Sequence, residues 1–519
     1  MRLLLRCLLA AGLLCPAVPV VAASVSAPVP LDSWVYPALD KLEGLGLIDS
    51  SLKGTRPYTR LEASRLTLEA RDKAATNQAP PVVMEILQRL ERELGTSLDE
   101  ARGASTGSYF QPLREVRLDY IHQDGPASVY AAQDRFGRKG AIDARQQALN
   151  SNNFGLDYAD GHNVHAILET EARFGNFFLL NWRPLLAVDE DDTDLATLHA
   201  TATLGFGPIN VMVGRDSLWW GQGRNGSLIL TNNAKPLDMV RVTNPSPILL
   251  PWVFKHLGPF RFDAFWTELE ADRHVPNPYL YGMRVTIKPR PWLELGASRA
   301  MMYGGDGRPS VGFSKFVELF FGKGTNTEAG EDNPSNQIAA FDARLRLPLP
   351  GAPELYGELG GEDEAGYFLA HKAWLLGIYL PKLESSGRLA LRLEYADLTH
   401  ESRPAPYWYR HGTYRSGYTY EKKILGHHVG GAARDAFGEV EIYLPRGLTL
   451  EASLNYQERG TDQTVQEKHL QPAIALAWHA IDNLRLRGRF ALDRISNVGF
   501  VSGADETHHL AFFTLDYRL

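Results

Sequence analysis

GRLALRLEYA, residues 387–396, changes character at every step. Leu389, Leu391, Leu393 and Tyr395 fall on one side of an extended chain, and Arg388, Ala390, Arg392 and Glu394 on the other. A period of two belongs to a strand, because successive Cβ atoms point to opposite faces. Outward from this stretch the pattern repeats. Phe341, Ala343, Leu345 and Leu347 alternate with Asp342, Arg344 and Arg346. Leu448, Leu450, Ala452, Leu454 and Tyr456 alternate with Thr449, Glu451, Ser453, Asn455 and Gln457. Leu484, Leu486, Phe490 and Leu492 alternate with Arg485, Arg487, Arg489 and Asp493.

Such strands suit a soluble sandwich with one wet face, or a membrane barrel with lipid outside and water within. Three features select the barrel. Strands of roughly ten residues, the length a tilted membrane strand needs, recur from Leu113 to the end. Their polar faces carry opposite charges able to pair across strands in a crowded lumen. Tight connections (174–176, 206–209, 288–292, 348–353, 381–387, 444–448, 480–483) alternate with long ones (123–161, 188–194, 216–255, 304–336, 399–436, 496–506). Outer-membrane barrels have short periplasmic turns and long extracellular loops. About 17 strands can be read directly, and the short/long order then demands one more descending strand between Asp216 and Lys255. That strand is expected in LTNNAKPLDMVRVTN or ILLPWVF, which makes the fold a transmembrane barrel of 18 antiparallel strands. In the last strand, HHLAFFTLDYRL, Ala511, Phe513, Leu515, Tyr517 and Leu519 share a face. An aromatic-x-apolar ending resembles the signal read by the outer-membrane assembly machinery, although Leu519 stands where Phe is commoner.

The other end of the chain is different. Arg2 and Arg6, an apolar run and Val21-Ala22-Ala23 have the layout of a secretory signal peptide, cut after Ala23. A lipoprotein reading through Cys15 is weakened by Leu14, where a small residue is expected. Cys7 and Cys15 are the two cysteines of the chain, so the mature protein is expected to hold no disulfide and no cysteine metal site. Residues 24–105 are expected to form a small periplasmic helical domain, with residues 106–519 as the outer-membrane barrel. In the head, Val35, Leu39 and Leu42 mark one helix, and Thr59-Arg60-Leu61-Glu62 is a capping box opening a second. Val83, Leu87, Leu90 and Leu94 mark a third, entered through Pro80-Pro81. A net charge of −7 with no basic block argues against nucleic acid. A mean hydropathy of −0.24 is too polar for a bundle of membrane helices.

GRDSLWWGQGRNGSLILTNNAKP, residues 214–236, is neither a helix nor a quiet strand. Together with SWVYPALDKLEGLGLI and RPYTRLEASR in the head, and YRSGYTYEKKILGHHVGGAARDA (409–436 region) later, it resembles the Wzi family of capsule assembly proteins. The resemblance implies a periplasmic helical bundle before an 18-stranded barrel. It also implies a surface lectin that retains capsular or other extracellular polysaccharide.

The loops have the chemistry for that role. Trp219 and Trp220 offer flat faces for sugar C–H groups, while Gln222, Asn225, Asn232 and Asn233 offer paired donors and acceptors. Arg215 and Arg224 suit uronate or pyruvate carboxylates. The competing reading places the tryptophans in an interfacial aromatic girdle. A second candidate is APYWYRHGTYRSGYTY, where Tyr407, Trp408, Tyr409, Tyr414 and Tyr418 stand beside Arg410 and Arg415. The alternative there is a loop that packs on itself and closes the pore. The acidic run 189–194 reads as a solvated hairpin tip rather than a calcium loop. His427-His428 and His508-His509 lack partners at metal-site spacing. No cofactor, no metal and no catalytic motif is expected, so the chain is read as a binding protein and not an enzyme. The runner-up is a porin or substrate channel, since a barrel of this size is wide enough to conduct. Expected partners are the polysaccharide, outer-membrane lipid and the assembly machinery, with the barrel a monomer.

Overall fold

The computed structural model describes residues 25–76, 79–104, 107–125, 128–132, 142–146, 149–320, 335–362, 372–399 and 408–519. The expected signal peptide, 1–23, lies outside them. Strands β1 to β6 are Tyr109–Asp124, Gly161–Phe174, Phe178–Val188, Thr193–Phe206, Ile209–Asp216 and Leu237–Thr243. Strands β7 to β12 are Pro259–Glu268, Tyr279–Arg290, Leu293–Tyr303, Ser335–Arg346, Glu354–Glu362 and Lys372–Leu380. Strands β13 to β18 are Leu389–Asp397, Ala433–Tyr443, Leu448–Arg459, Glu467–Ile481, Leu484–Ser496 and Glu506–Arg518. Each pairs antiparallel with the next, and β18 closes on β1 with Leu515 opposite Leu118. The result is a closed barrel of 18 strands, so no edge is left to unpaired backbone. The strand demanded by parity is β6, whose Leu237 faces Asp216 of β5 and whose Val240 faces Trp266 of β7.

The period-two pattern sorts the side chains as expected. Leu118, Val213, Leu376, Leu393 and Ile474 are exposed on the outside, where a bilayer would cover them. Arg284, Asp342, Glu358 and Glu394 are buried on the inside. No described helix is long and apolar enough to cross a membrane. One connection departs from the expected order. Residues 244–258, at the same end as the tight turns, form a longer link containing the short strand Ile248–Leu249 and a 3-10 helix, Trp252–Leu257.

The head contains α1 (Val35–Gly44), α2 (Arg60–Thr76), α3 (Pro81–Leu94) and a short α4 (Thr96–Ala101), which sequence periodicity did not reveal. Thr59 caps α2 by accepting the Glu62 backbone N–H at 3.2 Å. Val83, Leu87, Leu90 and Leu94 bury one face of α3 against Leu39, Leu42 and Leu66. Tyr443 from the end of β14 joins that core, so the head packs on the barrel wall and not only on itself. Ion pairs fix it to the tight-turn end of the barrel: Lys288–Glu43 at 2.5 Å, Arg388–Glu85 at 2.6 Å and Arg92–Asp482 at 2.6 Å. Between α1 and α2 the chain rises into the lumen. There the backbone N–H groups of Lys53 and Gly54 donate to the Glu294 carboxylate at 2.9 Å each.

Candidate functional site

The stretch 217–236 enters the barrel from the loop end and meets the head inside it. Trp219 and Trp220 form a two-residue antiparallel ladder with Arg56 and Thr55, and Gly221 N–H donates to Gly54 O at 2.9 Å. An irregular chain in a lumen must satisfy every backbone donor without a sheet to help. The wall supplies the acceptors. Glu358 accepts the N–H groups of Gln222, Gly223 and Leu228 at 2.7, 3.1 and 2.9 Å. Glu394 accepts those of Arg224 and Asn225 at 2.6 and 2.8 Å. Bonds to a charged acceptor are the stronger kind, about 1.5–3 kcal/mol each. The lumenal acids therefore hold inserted backbone as well as pairing with arginines across strands.

Gln222 is the hub. Its side-chain amide donates to Asp342 at 2.7 Å and Glu294 at 3.0 Å, and its Oε1 accepts from Arg344 Nε at 2.9 Å. Arg284 in turn grips Asp342 through two bonds, 2.7 and 2.9 Å. Trp220 is fully buried, packed on Phe265 with its indole N–H toward Asp263. Neither Trp219 nor Trp220 lies in a lipid-facing girdle. Gly221, at φ +142°, has no room for a Cβ, which would sit 2.1 Å from Ser227 Oγ.

The second aromatic loop completes the plug. Tyr409 O–H donates to Leu228 O at 2.7 Å and accepts the His427 backbone N–H at 2.8 Å. Its ring stacks on Tyr418, centroids 5.7 Å apart. Thr231 N–H donates to Leu425 O at 2.8 Å, and the Asn233 side chain donates to Ile424 O at 3.0 Å. Asn232 reaches Asn152 O at 2.9 Å, bringing in the loop before β2. Tyr414 O–H donates to Gly304 O at 3.1 Å, and Arg410 pairs with Asp462 at 3.0 Å. Burial pushes the His411 imidazole down to about 4, helped by the Arg308 guanidinium, and the His427 imidazole down to about 3, helped by the adjacent His428. Burial also raises the Tyr409 hydroxyl well above its ordinary range.

The residues singled out in the sequence thus fall into groups. Trp219, Trp220, Gln222, Asn232, Asn233, Trp408, Tyr409, Arg410, Tyr414 and Tyr418 are buried within the plug. Arg224 and Asn225 are half-buried where the plug faces β14 and β15, with Asn225 donating to Asp435 at 2.9 Å. Arg415 is half-exposed at the outer end. Arg215 stands apart, on the outer face of β5 in a two-bond pair with Asp238 at 2.8 and 2.6 Å. Tyr407 lies outside the described residues. Reading by composition missed Glu294, Glu358 and Glu394, which look like any lumenal acid, and Leu228 and Leu425, which act through backbone carbonyls. The tip at 189–192 is exposed and closed by Asp189, which accepts the N–H groups of Asp191 and Asp192 at 2.8 Å. Among the described residues no group of three histidine or acidic side chains converges to hold a metal.

Comparison with known proteins gives a consistent answer. A protein from the cps region of Klebsiella pneumoniae, recorded as an uncharacterized 55.8 kDa protein, is 38% identical over 166 residues. That alignment covers 31% of this chain and 32% of the relative, so it spans about a third of the relative's length. The solved structure of Wzi from Escherichia coli is described as a carbohydrate-binding β-barrel of the outer membrane involved in group 1 capsule assembly. It superposes with a TM-score of 0.72 at 20% identity, over 95% of this chain and 100% of that one, and so shares the fold. Residues 131–510, well over half the chain, match the family described as Capsule assembly protein Wzi. The chain, with two of its loops locked together inside the barrel, therefore belongs to the Wzi family of capsule assembly proteins.

Proposed function

We propose that this barrel retains extracellular polysaccharide at the cell surface, with the plug as a fixed platform for the sugar chain. The observation that carries the reading is the way two loops lock together in the barrel mouth. Their aromatic and amide groups bind each other, and polar side chains are left at the outer end. Arg415, Thr413, His274 and Lys235 lie there, exposed or half-exposed. A surface that is already ordered loses little entropy on binding. Its cations suit carboxylate-bearing sugars. In this reading Arg415 touches ligand, Arg224 and Asn225 line a route beside the plug, and the buried Trp219, Trp220, Gln222, Asn232, Asn233, Trp408, Tyr409, Arg410, Tyr414 and Tyr418 are the frame. Arg215 and Asp238 sit at the level of lipid headgroups. Residues 24–105 face the periplasm, residues 106–519 the membrane, and the barrel works as a monomer delivered by the assembly machinery.

The test is a pull-down of the host's own surface polysaccharide by the purified barrel. Arg415→Glu with Lys235→Glu should abolish capture while heat-modifiable migration stays intact. Full capture by that variant would sink the platform. The porin reading predicts large, steady currents in a planar bilayer, whereas the platform reading predicts silence.

A further inference from the structure

The link between β6 and β7 has an unusual surface for a periplasmic turn. Ile248 and Leu249 prolong the wall by pairing with Phe260 and Pro259 of β7. Ile248, directly opposite Phe260, shares its lipid-facing side. Pro251 then leads into the 3-10 helix, and the chain holds four apolar side chains in the open. Leu249 is 67% exposed, Trp252 84%, Val253 72% and Phe254 54%. Trp252 adopts φ +57°, a left-handed conformation uncommon for a bulky residue.

Two further observations say what covers this finger. Its charge has one sign: from Met239 to Phe262 there is no acidic residue, and Lys255 and His256 are exposed at its tip. Its base lies against the next turn, since a Cβ on Gly258 would meet Lys288 O at 1.9 Å. That turn exposes Arg290 and Trp292. The apolar surface is also continuous with the lipid-facing wall, through Val240 on β6, Phe206 on β4 and Ile209 on β5. Among the described residues the head's ion pairs go to other parts of the barrel, including Lys288, Arg346, Arg388, Asp482 and Arg518, and none reaches residues 248–257.

We infer that residues 248–257 dock on the phospholipid surface of the inner leaflet of the outer membrane. Indole and phenyl rings settle at headgroup depth, where one edge is apolar and the other wet. Lys255, His256 and Arg290 then meet anionic phosphates. The finger tethers the barrel on the side that the head leaves bare.

Single-cysteine labelling tests it, because the two native cysteines, Cys7 and Cys15, precede the expected cleavage point. Val253→Cys would carry a bimane probe, in full-length mature protein reconstituted into nanodiscs of phosphatidylethanolamine and phosphatidylglycerol with brominated acyl chains. Leu376→Cys, on the outer wall, marks full quenching, and Asp191→Cys, at an exposed hairpin tip, marks none. Quenching at position 253 close to that at 376 is the expected result. Adding Trp252→Glu and Phe254→Glu should return it to the level at 191, with heat-modifiable migration unchanged. A probe unquenched from the start would overturn the inference, as would quenching indifferent to those two glutamates. Disulfide-linked Val253→Cys dimers in the nanodisc would assign the surface to a second copy and overturn it equally.

Discussion

The two halves of the lumen are made from the same alphabet and used differently. On β8 to β13, Arg284, Asp342, Glu358 and Glu394 are buried against the inserted chains: Arg284 donates to the Thr55 hydroxyl, Asp342 accepts from the Gln222 side chain, Glu358 from the backbone of Gln222, Gly223 and Leu228, and Glu394 from that of Arg224 and Asn225. On β15 and β17, the Arg487 side chain stays 34% exposed and that of Glu451 19%, and the two charges pair across the wall at 3.0 Å. The plug is off-centre. Where it presses, a carboxylate is a structural acceptor. Where the packing is looser, a carboxylate such as Glu451 keeps some exposure and pairs with an arginine of the wall, at smaller energetic weight.

That contrast can be broken in graded ways. The largest effect should come from replacing residues 217–235 with a short glycine linker. The filled half would empty, and a barrel expected to be silent should pass steady current in a planar bilayer. A silent deletion variant would mean that the head alone seals the lumen. Next is Glu358→Ala, which strands three buried backbone donors. It should cost about 3–5 kcal/mol in thermal or denaturant unfolding and expose 217–236 to protease. An effect below about 1 kcal/mol would show that the plug is held elsewhere.

Acid should act on the plug before the head. The folded-state values of His411 and His427, near 4 and 3, lie below the ordinary imidazole value of 6.5. Their contribution is complete above pH 6.5 or so and is lost as pH falls toward those values. At pH 5 the loss should be about 2 kcal/mol per histidine, visible as protease sensitivity of the loop at 408–432. In the head, burial raises the Glu43 carboxyl, but Lys288 and Lys53 outweigh it and hold it at about 2. Its contribution is present above the ordinary carboxylate range and goes only as pH falls toward 2. Loss of head and plug at one pH would contradict this order.

Smaller effects sharpen the comparison. At Gly426 an added Cβ would stand 2.1 Å from the Tyr409 hydroxyl and 2.6 Å from Leu228 O, so Gly426→Ala should cost about 1–3 kcal/mol. Gly488 on β17 has nothing within 4 Å, so Gly488→Ala should stay within about 0.5 kcal/mol. Glu451→Ala, which removes one wall partner of the half-exposed Arg487, is also small and should cost less than about 1 kcal/mol. Equal melting shifts for Glu451→Ala and Glu358→Ala would erase the distinction between the halves.

Much of this architecture is legible in one dimension. Alternation in GRLALRLEYA and its repeats marks the wall, and parity demands one more strand and narrows it to two stretches, the first of which holds β6. The aromatic and amide stretches 214–236 and 405–420 are recognisable as special. What they touch is not. Trp219 and Trp220 carry the same letters whether they stack on a sugar, sit at a bilayer surface or pair with Thr55 and Arg56 from the opposite end of the pore. Nor does composition separate Arg215, turned outward to Asp238, from Arg224, turned inward.

The sequence by itself determined the closed cylinder, because alternating strands of about ten residues, with pairable charges on the polar face and short and long connections in turn, put lipid on one side and water on the other. It also determined which segments span the wall and which are free to be loops. Only the tertiary structure decided that a loop from above and a loop from below meet inside the lumen. That meeting depends on contacts between residues more than a hundred positions apart, such as Glu358 with Gln222 and Glu294 with Gly54. Local pattern carries no record of such pairings.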